Sequence, residues 1–166
     1  VYKRQEAYNL FSCSGILFNH ESPRRGYEFV TRKISYAVAR IKYGLQKELF
    51  LGNIKTKRDW GHAKDYVYAM WLMMQQKKPT DFVIATGKQF SVEQFAKLAF
   101  EAAGLNYRDY IKIDKKLFRP AEVNTLIGNY GKAKKILKWK PKIKFEDLVY
   151  DMVDSDLRMV ERNLQN

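Results

Sequence analysis

The chain has 166 residues, of which 46% are hydrophobic, and this is enough for one globular domain without requiring a second. Its net charge of +13 at pH 7 admits phosphorylated metabolites, nucleic acid or an anionic membrane surface as partners. No stretch approaches the about eighteen uninterrupted apolar residues of a membrane span, and the first residues lack the pattern of a secretory signal. The single cysteine, Cys13, cannot form an internal disulfide. The sequence therefore predicts a cytoplasmic protein.

The positive charge is spread along the chain, and its densest run lies between Lys132 and Lys144. Apolar residues interrupt that run at Ile136, Leu137 and Trp139, as on a solvated helix face above a core. This pattern favours a solvated surface over a nucleic-acid-binding stripe. No zinc-finger, basic-zipper or RNP-type motif strengthens the nucleic-acid alternative.

The first third of the chain predicts a helix, a strand, a polar loop and a second helix. Residues 1–9 have helical spacing, and residues 11–18 alternate and then run apolar, which indicates a buried strand that contains Cys13. After the loop, Phe29 to Tyr43 predict an amphipathic helix, because apolar residues recur every three or four positions. Gly44 is expected to end that helix.

A further strand and a further long helix follow. Glu48 to Leu51 predict a short strand, and Gly52 and Asn53 after it permit the backbone to approach a ligand closely. A charged loop over 55–59 leads to a helix over 62–76, whose apolar stripe is predicted to pack against the core. The stripe consists of Ala63, Val67, Met70, Trp71 and Met74.

The second half of the chain carries mostly structural signals. Strands are predicted over 81–86 and within 105–118, and helices over 91–103, 132–137 and 145–162. Ser91 with Gln94 three residues later is a capping box, which marks the start of a helix. Asn129 is predicted to cap the helix over 132–137.

The loop from Asn19 to Gly26 is the strongest candidate for a ligand site. Asn19 and His20 follow the carboxyl end of the predicted strand, where open α/β sheets bind ligands. Arg24 and Arg25 supply planar, permanently charged groups suited to phosphate, and pairing with phosphate would relieve their mutual repulsion. The sequence therefore predicts an anionic, phosphorylated ligand.

Other kinds of chemistry have no such signal. His20 and His62 have no cysteine or second histidine at ligand spacing, so no metal site is predicted. No serine lies in a G-x-S-x-G elbow, and neither a G-x-G-x-x-G nor a Walker loop is present. From its residues alone, the chain is interpreted as a phosphate- or nucleotide-binding α/β protein.

The same loop begins a series of motifs that runs through the chain. LFNHESPRRG, followed by FVTRKI, resembles the GDP-mannose 4,6-dehydratase family of extended short-chain dehydrogenase/reductases. The resemblance continues through LGN at 51–53, RDWGHAKDYV at 58–67, DFVIATG at 81–87, SVEQF at 91–95, FRPAEV at 118–123 and KAKKILKWKP at 132–141. The family's Gly-rich cofactor loop and its Tyr-x-x-x-Lys have no counterpart in these motifs. The resemblance therefore implies the carboxyl-terminal half of such an enzyme.

This resemblance implies the fold and the activity. The expected α/β fold combines the terminal strands of a Rossmann-like NAD(P)-binding sheet, near 11–18 and 81–86, with a smaller mixed α/β substrate-binding domain, mainly at 19–80 and 105–166. The expected activity is that of a lyase. Bound NADP takes hydride from carbon 4 of the mannose of GDP-mannose, water is lost across carbons 5 and 6, and the hydride returns to carbon 6. No catalytic residue is expected in this chain, which should be inactive alone.

The resemblance also implies binding roles. His20 and Arg25 match positions that contact NADP, and Arg25 lies on a loop that reaches a neighbouring subunit's cofactor in a homodimer or homotetramer. The positions that hold GDP-mannose match Asn19, Lys33, Asn53, Arg58, Arg119 and Glu122. Two alternatives stay open, namely another nucleotide-sugar epimerase or dehydratase, and a basic nucleic-acid or nucleotide-binding module without catalysis.

Overall fold

The computed structural model describes residues 2–118, 121 and 123–165, and within them it contains helices and short strands in alternation. The helices are α1 (Tyr2–Tyr8), α2 (Val30–Lys42), α3 (Ala63–Met74), α4 (Val92–Ala102), α5 (Gly131–Ile136) and α6 (Phe145–Gln165). The strands are β1 (Gly15–Leu17), β2 (Asn19–Glu21), β3 (Leu49–Leu51), β4 (Lys57–Arg58), β5 (Trp60–His62), β6 (Phe82–Ile84), β7 (Phe90–Ser91) and β8 (Ile111–Ile113). Short 3-10 turns, Tyr107–Asp109 and Lys115–Leu117, flank β8.

The strands pair two by two. Three pairs are parallel, β1 with β6, β2 with β5, and β3 with β8, whereas β4 and β7 are antiparallel. Parallel pairs require long crossover connections, and α2, α3 and α4 lie within them. This arrangement confirms the predicted α/β class.

Two apolar cores hold these elements together. The first packs α2, α4 and α6 around β3 and β5, and the rings of Trp60, Phe95 and Phe145 contact one another inside it. The second packs α3 and β6 against the segment that follows α5. There Trp139 is fully buried, and its Nε1 donates to the carbonyl of Asp65 at 3.0 Å. The predicted boundaries of a Rossmann part and a substrate-binding part stay predictions.

Several helix ends follow from local sequence. At the start of α4, Ser91 Oγ accepts from the Gln94 amide (3.0 Å) and Gln94 Oε1 accepts from the Ser91 amide (2.7 Å), which confirms the capping box. Gly44 and Gly104 follow α2 and α4 with φ of 72° and 71°, a left-handed conformation that glycine adopts readily. The predicted helices α1, α2, α4 and α6 are all present.

The strand predicted over 11–18 is wrong in length. Only β1 is a strand within that range, and Phe18 separates it from β2. β1 and β2 then pair with different partners, β6 and β5. Cys13 lies before β1 and outside any strand, and Ile16 in β1 is 56% exposed. A local pattern does not reveal this division, because the two partner strands lie far along the chain and apart from each other.

The prediction of which face of α3 packs against the core is also wrong. Most of the predicted stripe is exposed, namely Val67, Met70, Trp71 and Met74. Helix α3 instead buries Tyr66, Ala69 and Met73 in the second core. Since α3 is apolar on every side, residue spacing does not select the buried face.

Two smaller predictions differ from the structure. The charged loop expected over 55–59 contains β4, which pairs with β7. Asn129 is not the N-cap of α5, because that helix begins at Gly131 and Tyr130 occupies the capping position. Asn129 Oδ1 accepts from the Gly131 amide at 2.8 Å and so stabilises the turn that enters the helix.

Candidate functional site

A cavity of about 500 Å³ opens between β2, the start of α2, the end of β3 and β4. Its lining includes four residues predicted to hold a sugar nucleotide, namely Asn19, Lys33, Asn53 and Arg58. Each comes from a different element, so the tertiary structure brings them together. The volume is that of an ordinary small-molecule site. That these four residues contact a ligand stays a prediction.

Lys33 and Asn53 each form a hydrogen bond with a backbone group at the edge of this cavity. Lys33 Nζ donates to the carbonyl of Phe50 in β3 at 2.7 Å. An ammonium group has three donors, so two remain for another acceptor. Asn53 Oδ1 accepts from the Lys55 amide at 3.1 Å, which leaves its donors on the amide nitrogen.

Gly52, between β3 and Asn53, has a packing reason to be glycine. A Cβ atom here would lie 2.6 Å from the carbonyl oxygen of Leu117. The backbone at Gly52 therefore packs closely against the turn after β8. This contact explains why the residue is glycine without any contact to a ligand.

Arg58 anchors the far wall of the cavity. Its Nη1 donates to the carbonyls of Lys57 (2.8 Å) and Val123 (2.6 Å), and the Lys57 amide donates to the carbonyl of Asn124 (2.8 Å). These contacts hold the segment around 123–125 against β4. The other two predicted substrate-binding residues, Arg119 and Glu122, lie outside the described residues.

A second cavity of about 240 Å³ shares Asn19 with the first and is lined by His20 and Arg25. His20 Nδ1 lies 3.0 Å from the carbonyl of Phe18, and because a carbonyl can only accept, Nδ1 carries a proton. The His20 ring stacks on Tyr66 with centroids 5.0 Å apart. The structure therefore groups the two predicted cofactor-binding residues and fixes the orientation of the imidazole.

Arg25 is already paired within the chain. Its Nε lies 3.2 Å from Glu21 Oε2, and its guanidinium lies 3.4 Å from the ring centroid of Phe29. The predicted repulsion between Arg24 and Arg25 is therefore wrong as a reason for phosphate binding, because Glu21 balances the second charge. Arg24 is exposed, and its amide donates to Ser22 Oγ at 3.2 Å within the turn.

Comparison with known proteins places this geometry in a family. The sequence profile described as GDP-mannose 4,6 dehydratase matches residues 1–152. The chain belongs to this family. It is 59% identical over 158 residues to GDP-mannose 4,6 dehydratase 2 of Arabidopsis thaliana and 48% identical over 180 residues to GDP-mannose 4,6 dehydratase of Homo sapiens. These alignments cover 95% and 98% of this chain but 42% and 48% of the relatives, so the chain spans less than half of their length.

Solved structures confirm the Rossmann-like α/β fold of this family member. RMD from Pseudomonas aeruginosa, complexed with NADPH, has a TM-score of 0.87 at 20% identity and covers 95% of this chain and 52% of its own. UDP-glucose 4-epimerase of Thermotoga maritima, with UDP-glucose, has a TM-score of 0.79 at 25% identity and covers 96% of this chain and 50% of its own.

Sequence analysis did not single out Asp59, which this member of the dehydratase family buries completely. Its Oδ1 accepts from the amide and the hydroxyl of Thr86 (2.8 and 2.6 Å), and its Oδ2 accepts from the amides of Gly87 (2.9 Å) and Gly128 (3.1 Å). The carboxylate thus joins the β4–β5 segment to the turn after β6 and to the chain before α5. Its place in the RDWGHAKDYV motif was the only signal in the sequence.

His62 and Cys13 have structural explanations. His62 caps α3, since its Nδ1 accepts from the Lys64 amide (3.1 Å), and its Nε2 lies 3.0 Å from Asp151 Oδ2. Burial raises the pKa of the Cys13 thiol, which disfavours the nucleophilic thiolate. Within the described residues, no three His, Cys, Asp or Glu side chains lie together as metal ligands would, and no helix is long and apolar enough to span a membrane.

The lysine-rich segment over 132–144 lies at the surface, above the second core. Lys132 Nζ is engaged there, because it donates to Thr80 Oγ1 and to the carbonyl of Asp81, both at 2.7 Å. The residues of the segment that face inward are buried, namely Ala133, Leu137 and Trp139. This is the arrangement of a solvated face over a core.

Proposed function

We propose that this chain is the sugar-nucleotide-binding half of a GDP-mannose 4,6-dehydratase, a lyase that converts GDP-mannose to GDP-4-keto-6-deoxymannose. The observation that carries the proposal is the cavity where Asn19, Lys33, Asn53 and Arg58 meet. Identities of 44 to 59% to dehydratases of this name favour it over another nucleotide-sugar epimerase or dehydratase, since the neighbouring structures of those classes share 15 to 25%.

The proposed roles follow from the chemistry of the ligand. A diphosphate requires positive charge, which Lys33 supplies as a compact ammonium and Arg58 as a planar guanidinium. Arg119 is proposed to add a second guanidinium. The guanine base presents N–H donors, which suit the carboxylate of Glu122. The amide side chains of Asn19 and Asn53 can donate and accept toward hydroxyl groups of the sugars.

NADP is the proposed cofactor, with His20 and Arg25 as the residues of this chain that hold it. Arg25 Nε lies 3.2 Å from Glu21 Oε2, and the two terminal nitrogens of the guanidinium carry four donors suited to phosphate. When bound, NADP supplies the hydride chemistry. The contribution of this chain is to bind and orient both ligands, and the acid and base groups are proposed to lie in the other half of the enzyme.

We further propose a cytoplasmic homodimer or homotetramer in which the loop over 22–26 contacts a neighbouring subunit and its cofactor. Arg24 is exposed and Arg25 is paired, so Arg24 is the stronger candidate for the contact across the interface. The double variant Arg24→Ala with Arg25→Ala, made in the full-length protein, should lower both the mass measured by light scattering and the retained NADP. Unchanged mass and cofactor content would exclude the loop from the interface.

The ligand class is tested by calorimetry on the 166-residue chain with GDP, with UDP and with a single-stranded oligonucleotide. We expect selective binding of GDP. Binding that shows no preference for GDP over UDP would contradict the proposal, and oligonucleotide binding that weakens steeply with salt would support the nucleic-acid alternative.

The role of Arg58 is tested by Arg58→Ala in the same assay. A charge-assisted contact to phosphate contributes about 1.5 to 3 kcal/mol, so GDP affinity should fall about tenfold or more. Arg108→Ala, which removes an exposed guanidinium outside this cavity, is the matched control and should leave affinity unchanged. Equal affinities of the two variants, with intact circular dichroism, would remove Arg58 from the site.

A further inference from the structure

Strand β2 lies between the two cavities and contributes to both. Asn19 lines both cavities, Glu21 lines the larger one, and His20 lines the smaller one. A residue of β2 that also contacts elements around both cavities can therefore connect them, and Glu21 meets that condition.

Glu21 is a buried carboxylate, with a side chain only 2% exposed. Its Oε2 accepts from Thr31 Oγ1 at 2.7 Å and lies 3.2 Å from Arg25 Nε. Burial raises the pKa of Glu21, while the Thr31 hydroxyl and the Arg25 charge oppose that shift. Both partners favour the charged form of the carboxylate, and they belong to different cavities: Thr31 lines the larger one and Arg25 the smaller one.

Between these two partners, Tyr27 contacts the ring of Tyr36 (centroids 4.9 Å apart) and the Arg32 guanidinium (5.0 Å from the ring centroid), and its hydroxyl donates to Met159 Sδ at 3.7 Å. Phe29, the N-cap of α2, makes no side-chain capping hydrogen bond. The Arg25 guanidinium lies over its ring, 3.4 Å from the ring centroid. The turn that follows β2 is closed by backbone hydrogen bonds from Arg25 to Ser22 (2.9 Å) and from Phe29 to Gly26 (3.2 Å). The Glu21 carboxylate thus ties both ends of this segment to the sheet.

We propose that Glu21 is a positioning residue that holds Arg25 at the smaller cavity and the first turn of α2 at the larger one, and so couples the binding of the two ligands. The inference rests on the proposed function for the identity of those ligands, sugar nucleotide and NADP. Binding of an anion by Arg25 orders the segment that Glu21 anchors, so the first turn of α2 no longer has to be ordered when the second ligand binds.

The positioning role is tested on the 166-residue chain without any ligand, by hydrogen exchange of the amides between 22 and 33. Glu21→Gln should raise exchange there about tenfold or more, while the amides of α4 keep their protection. Glu146→Gln is the control, because Glu146 is an exposed carboxylate outside both cavities and outside the measured segment, so its replacement should change nothing there. Unchanged exchange in Glu21→Gln would overturn the proposal.

The coupling is tested in the full-length protein by measuring GDP affinity with and without saturating NADP. In the wild type, saturating NADP should raise GDP affinity about fivefold or more. Glu21→Gln should bring this ratio close to one, whereas Glu146→Gln should retain it. A purely structural role would weaken both affinities and leave their ratio unchanged, and that result would refute coupling. Wild-type protein that binds neither ligand would refute the proposed function instead, and the exchange experiment would still decide the role of Glu21.

Discussion

Replacing Asp59 by asparagine should be among the most damaging single changes in this chain. Asp59 is fully buried, and its two oxygens accept four hydrogen bonds, three of them from backbone amides. The Asp59→Asn variant keeps the shape of the side chain but retains only one oxygen. If that oxygen replaces Oδ1, the new NH₂ group faces the amides of Gly87 and Gly128, which can only donate.

The expected loss follows from those two contacts. A hydrogen bond to a charged group contributes about 1.5 to 3 kcal/mol, and a buried donor left without an acceptor adds its desolvation cost. Two such contacts give a loss of about 3 to 6 kcal/mol in the free energy of unfolding. This is a large fraction of the total stability of an ordinary domain, which is about 5 to 15 kcal/mol.

Urea unfolding followed by circular dichroism measures this loss. The midpoint should fall strongly in Asp59→Asn, with little change in the slope against urea concentration. Asp109→Asn is the matched control, because Asp109 is exposed and its carboxylate accepts from Asn106 Nδ2 at the long distance of 3.3 Å, so its effect should stay within about 0.5 kcal/mol. A loss below about 1 kcal/mol in Asp59→Asn would refute the account of this network.

Three further outcomes are expected. Gly128→Ala should lower the free energy of unfolding by about 1 to 3 kcal/mol, since its Cβ would lie 2.3 Å from that of Ala85. In the same urea assay, Gly15→Ala should lower it less, because the new Cβ would meet flexible side chains. Burial raises the pKa of Asp156, so the folded chain keeps the proton of this carboxyl group to higher pH than the unfolded chain does. The free energy of unfolding should therefore fall as pH rises from the ordinary aspartate range through the raised pKa. Urea titrations across that range should show a smaller fall in Asp156→Asn, and an unchanged fall would show that another group causes it. The 166-residue chain alone should form no 4-keto product from GDP-mannose in a chromatographic assay, and turnover would disprove the assignment of the catalytic groups to the other half.

Local sequence determined those parts of the fold whose physical cause lies within a few residues. The capping box of Ser91 and Gln94 and the left-handed turn at Gly104 fix the two ends of α4 by hydrogen bonds and backbone angles inside that segment. Helix α6 has one apolar face, whose spacing predicted the helix, and the residues of that face are buried in the structure. The motifs that resemble the dehydratase family likewise depend on residue order alone, and they indicated the family before any geometry was known.

Tertiary structure decided what depends on distant partners. The buried face of α3 is set by the position of β6, because a helix that is apolar on every side can pack in more than one orientation. Asp59 is bound by residues 27 to 69 positions further along the chain, so no local pattern distinguishes it from a surface aspartate. The sequence likewise does not distinguish Glu21 from other glutamates, because only folding places Arg25 and Thr31 around its carboxylate. Burial and neighbouring groups, and not residue type, determine the properties of a charged side chain.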